Sequence, residues 1–334
     1  GRGLIERTRD IIEERWGHSP HDATVIMGDT DSCFGALNRE TYPNTLEGRT
    51  KAMAVANDVA TTCNEEFGHP IILEVEKLYE SILVQQKKRY SGHKRERADE
   101  KEAVLDAKGD MSVRRDAAPV EKEIFVPVQQ QLLKHHDIDG AIKLLIRGLQ
   151  EMLDDKIDLD KYVRTCALKP SYKTKTPQGC ARDRMEGRQR GSAPASGSRI
   201  RFVFAFPKGS TNDTKLYDLA EHVDYVRNPI NKLHPDVLTY IGHMRNAVVG
   251  LFEGFQQIER VHRIFDQAED IAMRKRHKQK SLSSTSDIIK DAPDAVDAIE
   301  PTRKKKKRKR KRTSDVDEDE EEEEKKESSS PASP

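Results

Sequence analysis

Residues 28–32 read Gly-Asp-Thr-Asp-Ser, two carboxylates one residue apart. Asp29 and Asp31 form a donor set suited to Mg2+, a hard cation bound through one or two carboxylates plus water and substrate phosphates. In phosphoryl transfer, two such ions activate the attacking oxygen and stabilise the leaving one. The residues before the pair (ATVIM, 23–27) are a short β-branched run, and Cys33-Phe34 follows it. Strand, polar turn and strand make a hairpin that presents both carboxylates at its tip. An acidic hairpin turn in solvent has the same local sequence, so the pair alone does not separate the two readings.

Two basic segments lie downstream. Lys87-Lys88-Arg89-Tyr90 closes the stretch 71–84 (IILEVEKLYESILV), which reads as strands. Alternation along a strand sends Lys87 and Arg89 to one face, Lys88 and Tyr90 to the other. Cations beside an aromatic suit a duplex held by its phosphates without reading of bases; a solvated basic strand end is the plainer reading. Asp106-Ala107-Lys108-Gly109 and Val113-Arg114-Arg115-Asp116 come next. Asp116 either orients the two guanidinium groups toward phosphates or closes a surface ion pair.

The elements that must position these groups are mixed. Residues 3–16 space Leu4, Ile5, Thr8, Ile11, Ile12 and Trp16 as one face of a helix ending near Gly17. Residues 47–67 form a second helix, broken by His69-Pro70. From 119 to about 280 the pattern is mostly helical, over 126–135, 140–153 and 236–267, with a polar, basic interruption at 169–199 and a short strand at 200–206. The fold class is α+β: mixed helix and strand up to about residue 108 and mostly helical beyond it.

Net charge is only +1, but residues 303–312 are all basic and 315–324 nearly all acidic, so charge distribution carries more information than its sum. A mean hydropathy of −0.82 reflects such segments, and 281–334 is expected to be disordered because it cannot bury enough apolar surface. The acidic block is expected to fold back on the basic one and screen it from DNA at low salt. The four cysteines are widely spaced, and neither a disulfide framework, a zinc site nor an iron–sulfur site is expected. No apolar run has transmembrane length, so no membrane partner is expected. The first residues, GRGLIERTRD, lack an initiator Met and read as a start within a longer protein.

In order and spacing, the GDTDS turn, LEVEKLYESILVQQKKRY and DAKGDMSVRRD resemble the family B DNA polymerases, especially the delta-like and large-DNA-virus branch. Gly191-Ser192-Ala193-Pro194 with Gly197-Ser198-Arg199-Ile200, and Glu221-His222 with Asp224-Tyr225, extend the resemblance to about residue 255. It implies a palm portion over 1–108, with an antiparallel sheet and the motif C hairpin, then a mostly α-helical thumb over 109–280 and a charged tail over 281–334. It implies Asp31 as principal ligand of two Mg2+ ions and Asp29 as its supporting carboxylate. Lys87, Lys88, Arg89 and Tyr90 would hold primer-template DNA, with Lys108, Arg114 and Arg115 on the primer backbone. Glu74 or Glu76 would be an auxiliary carboxylate near the metals, or an exposed strand face.

The implied activity is DNA-directed DNA polymerisation, a nucleotidyl transfer from deoxynucleoside triphosphates during replication, with a processivity factor as a further partner. No Gln-x-x-apolar-x-x-aromatic-aromatic box for such a factor occurs between 256 and 290. Met27 stands where the family usually has Tyr. Neither the family's SLYPS-type motif A aspartate, nor its Lys-rich motif B helix, nor an exonuclease motif occurs in this chain. A C-terminal piece of a polymerase, inactive alone, is the expectation. The cellular delta subunits that this chain resembles finish with cysteine-rich metal modules; the lack of one here, together with the low-complexity tail, leans toward a viral enzyme. The basic block Arg303, Lys304, Lys305, Lys306, Lys307, Arg308, Lys309, Arg310, Lys311 and Arg312 has the composition of a nuclear-import signal, placing the protein in the nucleus, or the host nucleus if viral. The alternative is a non-catalytic nuclear nucleic-acid-binding protein that works through this tail.

Overall fold

A computed structural model of the chain describes residues 2–207 and 214–277. The expectations for the tail, including the basic block at 303–312, lie outside the described residues. Every described element belongs to one unit spanning Gly1–Pro293.

Helix α1 (Arg2–Trp16) buries Thr8, Ile11 and Ile12, the i, i+3, i+4 face anticipated from spacing. It packs on the hairpin of β1 (Thr24–Asp29) and β2 (Ser32–Ala36). Contact is close there: a Cβ on Gly28 would lie 3.2 Å from Cγ2 of Ile5, and the Cys33 thiol points to the Ile5 carbonyl. Helix α2 (Leu46–Phe67) starts at Thr45, whose hydroxyl accepts from the Gly48 amide at 3.1 Å, and buries the small residues Gly48, Ala52, Ala60 and Cys63. The Arg7 guanidinium, held by both oxygens of Glu66, ties α1 to α2.

Strands β3 (Leu78–Gln86), β4 (Arg89–Arg95) and β5 (Val104–Lys108) form an antiparallel meander. Here the structure corrects two readings. Residues 71–77 belong to no strand, and β3 begins only at Leu78. Gln86 pairs with Arg89, which makes Lys87 and Lys88 a two-residue hairpin turn and not the end of a strand. Alternation therefore does not sort the four KKRY side chains, since it needs continuous strand geometry.

Helix α3 (Pro119–His135) lies on this sheet through polar contacts: the Ser81 hydroxyl donates to the Leu133 carbonyl at 2.8 Å, and Gln129 donates to Ser91 at 2.9 Å. Helix α4 (Ile138–Leu153), capped by Asp137, turns Ala141, Ile142, Leu145, Leu149 and Met152 inward. The second sheet contains β6 (Arg164–Ala167), β7 (Arg199–Pro207), β8 (Ala220–His222) and β9 (Leu233–Pro235), all antiparallel to β7. Helix α5 (Pro177–Arg188) and the short α6 (Leu216–Leu219) and α7 (Val223–Arg227) flank it; α8 (Val237–Leu251) and α9 (Ile258–His277) close the core. Tyr240 is fully buried and satisfied, its hydroxyl donating to the Tyr162 carbonyl and accepting from the Phe204 amide.

The basic interruption at 169–199 is therefore partly helical, and 236–267 is two helices. Helix α5 has little apolar periodicity; it is held by Arg188, which stacks 3.5 Å over the Tyr225 ring and pairs with Glu221. Between α8 and α9 the chain turns through Gln256 in the left-handed region. Mixed α and β structure with antiparallel sheets stands, with more strand in the second half than periodicity implies.

Candidate active site

The β1–β2 hairpin pairs Met27 with Phe34, Gly28 with Cys33 and Asp29 with Ser32. The register shifts between Val25 and Met27, leaving Ile26 as an extra, half-exposed residue. Such bulges re-aim the side chains beyond them. Gly28 and Cys33 face α1, so the opposite face carries Met27, Asp29 and Phe34.

Thr30 and Asp31 make the turn. Thr30 has φ 60°, unusual for a β-branched residue, and the Asp31 amide donates to the Asp29 carbonyl at 2.7 Å across it. The Ser32 hydroxyl donates to the same carbonyl at 3.0 Å. The backbone and Ser32 thus hold the turn and spare the carboxylates: among the described residues Asp29 accepts only a 3.3 Å contact from Thr30, and exposed Asp31 makes no ion pair. Two adjacent carboxylates with open lone pairs fit a hard cation that draws its remaining ligands from phosphates and water. Among the described residues no three His, Cys, Asp or Glu side chains gather as a metal cluster, so Glu74 and Glu76 do not join Asp29 and Asp31 in one. Glu74 is exposed; Glu76 pairs with Lys77 at 2.9 Å.

The KKRY segment splits in two. Lys87 and Lys88 are exposed at the turn, whereas Arg89 is half-buried and Tyr90 is only 4% exposed. The Tyr90 ring packs edge-on against Phe34, 5.3 Å between centroids. Burial raises its hydroxyl pKa, with Asp106, Asp29 and Glu76 adding to the rise and Lys77 opposing it. Asp106 lies under this cluster, accepting from the Tyr79 hydroxyl at 2.6 Å and Lys77 at 3.0 Å. Burial pushes the Asp106 carboxyl up, but those two partners outweigh it and hold its pKa below the usual value.

Lys108 pairs across the sheet with Tyr90, and Gly109 follows with φ 63°. A Cβ on Gly109 would stand 2.4 Å from the Lys88 carbonyl oxygen, so glycine is what lets the two basic segments meet and brings exposed Lys87, Lys88 and Lys108 to one end of the sheet. Gly109→Ala is expected to cost about 2 kcal/mol through overlap and positive φ. A lowered urea midpoint with weakened duplex binding would be the signature; an unchanged midpoint would show that the backbone gives way freely.

Asp116 grips Arg114 through both oxygens, at 3.0 and 2.7 Å, and that contact leads the forces lowering its pKa. Its other cation is Arg164 on β6, 3.4 Å away, and not Arg115. Arg115 is exposed without an ion pair among the described residues, its carbonyl accepting from Arg199. Phe34 and Asp106 stand in the sequence reading only as members of their segments, and Tyr79 and Arg164 carry no signal of their own, because the partners of all four are distant along the chain.

The sequence model for DNA polymerase family B matches residues 1–255. The chain is 36% identical over 259 residues to the DNA polymerase delta catalytic subunit of Schizosaccharomyces pombe, spanning 76% of this chain and 23% of that protein. With the DNA polymerase delta catalytic subunit of Drosophila melanogaster it shares 30% over 293 residues, 86% of this chain and 25% of that one. The structure of the family B DNA polymerase from the archaeon Pyrobaculum calidifontis aligns with 73% of this chain and 28% of that chain, at TM-score 0.47 and 22% identity. The chain spans about a quarter of the length of the curated relatives it matches. With a match that covers most of its residues, this chain is a member of DNA polymerase family B.

Proposed function

We propose that the chain supplies the carboxylate hairpin and duplex-holding surface of a DNA-directed DNA polymerase. Residues 1–108 are its share of the palm and 109–280 its thumb. The reaction is attack of a primer 3′ hydroxyl on the α-phosphate of a deoxynucleoside triphosphate, with pyrophosphate leaving. The Phe34 ring, seated against both Tyr79 and Tyr90, carries this reading, because it sets the carboxylate hairpin beside the KKRY turn.

Each part then has a task. Asp31, with Asp29 in support, would hold two Mg2+ ions, which when bound supply positive charge to the reacting oxygens. Asp29 and Asp31 keep their carboxylates free because the turn is closed by backbone and Ser32 instead. Lys87, Lys88 and Lys108 present exposed cations to phosphates, while Arg89 and Tyr90 brace the turn behind them. Arg114, fixed by Asp116, and Arg115 extend the cationic surface toward the second sheet. Primer-template DNA and deoxynucleoside triphosphates are the substrates, and a processivity factor fits the same reading. A nuclear site of action rests on the basic block at 303–312.

Primer extension by the complete polymerase carrying Asp31→Ala is the direct test: loss of extension with duplex binding retained supports the assignment, and retained extension overturns it. A second measurement isolates the duplex grip. Each phosphate contact contributes about 0.9 to the slope of log affinity against log salt. The triple change of Lys87, Lys88 and Lys108 to Ala is therefore expected to flatten that slope by about 2.7, equally for all sequences. An unchanged slope would remove these lysines from the duplex surface.

A further inference from the structure

We infer that Phe34 is a positioning residue for the candidate metal site: its ring is the joint through which the β3–β4 sheet sets where Asp29 and Asp31 stand. The inference rests on the reading that these two carboxylates hold the metal ions.

The hairpin needs such a joint. Its sheet has only two strands among the described residues, and an isolated two-stranded ribbon is marginal in water. It is also interrupted by the bulge at Ile26, three residues before Asp29. One face is steadied by α1 through Gly28 and Cys33. The face that bears Asp29 meets the rest of the protein through Phe34, which shares that face two residues from Ser32, the cross-strand partner of Asp29.

The surface that receives Phe34 is rigid. Tyr79 stacks on the ring at 6.0 Å and Tyr90 meets it edge-on at 5.3 Å, both within the range of favourable aromatic pairing. Tyr79 is anchored by its hydroxyl to Asp106, which Lys77 also holds. Its ring is seated over Gly92 of β4, where an added Cβ would come within 2.6 Å of Cδ1, so glycine there is what gives the ring its place. Tyr90 is pinned between Val84 and Lys108 in the sheet. A half-buried ion pair and two paired strands thus fix two rings, and those rings fix a third on the hairpin that carries the carboxylates. Geometry at a reacting centre must be kept within a fraction of an ångström, and that precision comes from such supporting contacts.

The test uses the complete polymerase with Phe34→Leu and Phe34→Tyr, and Tyr79→Leu as a probe from the other side of the contact. Single-turnover extension is followed against Mg2+ concentration, and duplex affinity is measured without metal. Phe34→Leu is expected to raise the Mg2+ midpoint about fivefold and lower the saturated rate about tenfold, because small misplacements at a reacting centre are costly. Duplex affinity should stay within about twofold, since no phosphate contact is removed. Phe34→Tyr, which keeps the ring, should behave as the parent. Tyr79→Leu should shift the midpoint in the same direction, and if Phe34→Leu does not fold, this variant decides.

An unshifted midpoint in the folded variant, with the rate unchanged or reduced equally at every Mg2+ concentration, would overturn the inference. Asp31→Asn in the same assay separates the two levels. Extension by that variant sinks the metal-site reading itself, whereas its inactivity beside an unshifted Phe34→Leu sinks only the positioning role.

Discussion

Asp31→Asn in the complete polymerase is expected to reduce single-turnover primer extension by about 10³-fold, since it removes the principal ligand of the ions that would stabilise the reacting oxygens, and losing one preorganised electrostatic stabiliser costs about 10²–10³-fold. The substitution is a clean probe of charge. Asn keeps the size of the side chain, and the turn is closed by the Asp31 amide on the Asp29 carbonyl and by the Ser32 hydroxyl, none of which involves the Asp31 carboxylate. No cation among the described residues is left unpartnered when the charge goes, because Asp31 makes no ion pair there. Stability and metal-free duplex affinity should therefore be unchanged.

Asp29→Asn is expected to cost less, about 10²-fold, because Asp29 is half-buried and already accepts from Thr30. Rates for both variants alongside duplex dissociation constants check the ordering. Equal losses would make the carboxylates joint ligands; a larger loss at Asp29 would reverse their roles.

The sequence showed the hairpin well and its surroundings poorly, for reasons that are local in the first case and not in the second. Residues 23–34 contain a β-branched run, a polar turn and a return strand, and Asp29 and Asp31 fall at the tip as their spacing requires. The face of α1 was legible because Thr8, Ile11 and Ile12 obey one period. What could not be read was contact across distance: Phe34 with Tyr79 and Tyr90, or Arg164 with Asp116, 48 residues apart. Strands β8 and β9 have three residues each, too few for alternation to register. The turn at Lys87-Lys88 was missed because neither residue is a customary turn former. Lys88 occupies positive φ without being Gly or Asn, and the signal lay instead in Gly109, whose missing side chain makes room for the Lys88 carbonyl.

The largest stability effect is expected at Arg164. Its guanidinium reaches the Asp116 carbonyl at 2.9 Å, the Glu121 carboxylate at 3.1 Å and Nδ1 of His243 at 2.6 Å. Since arginine only donates, His243 accepts at Nδ1 and carries its proton on Nε2. Glu121 is the vulnerable partner: its side chain is 1% exposed, and its other strong contact is the Ala118 amide at the start of α3. Arg164→Met keeps the length of the side chain and strands that carboxylate, at an expected cost of about 3 kcal/mol. Adding Glu121→Gln should restore part of the loss, because a neutral amide is cheaper to bury than an unpaired charge. Arg164 also helps hold Asp116, which in turn holds Arg114, so the single variant should weaken duplex binding as well as stability. Urea midpoints for the two single variants and the double give the coupling directly. A coupling near zero would mean that water replaces the arginine at Glu121.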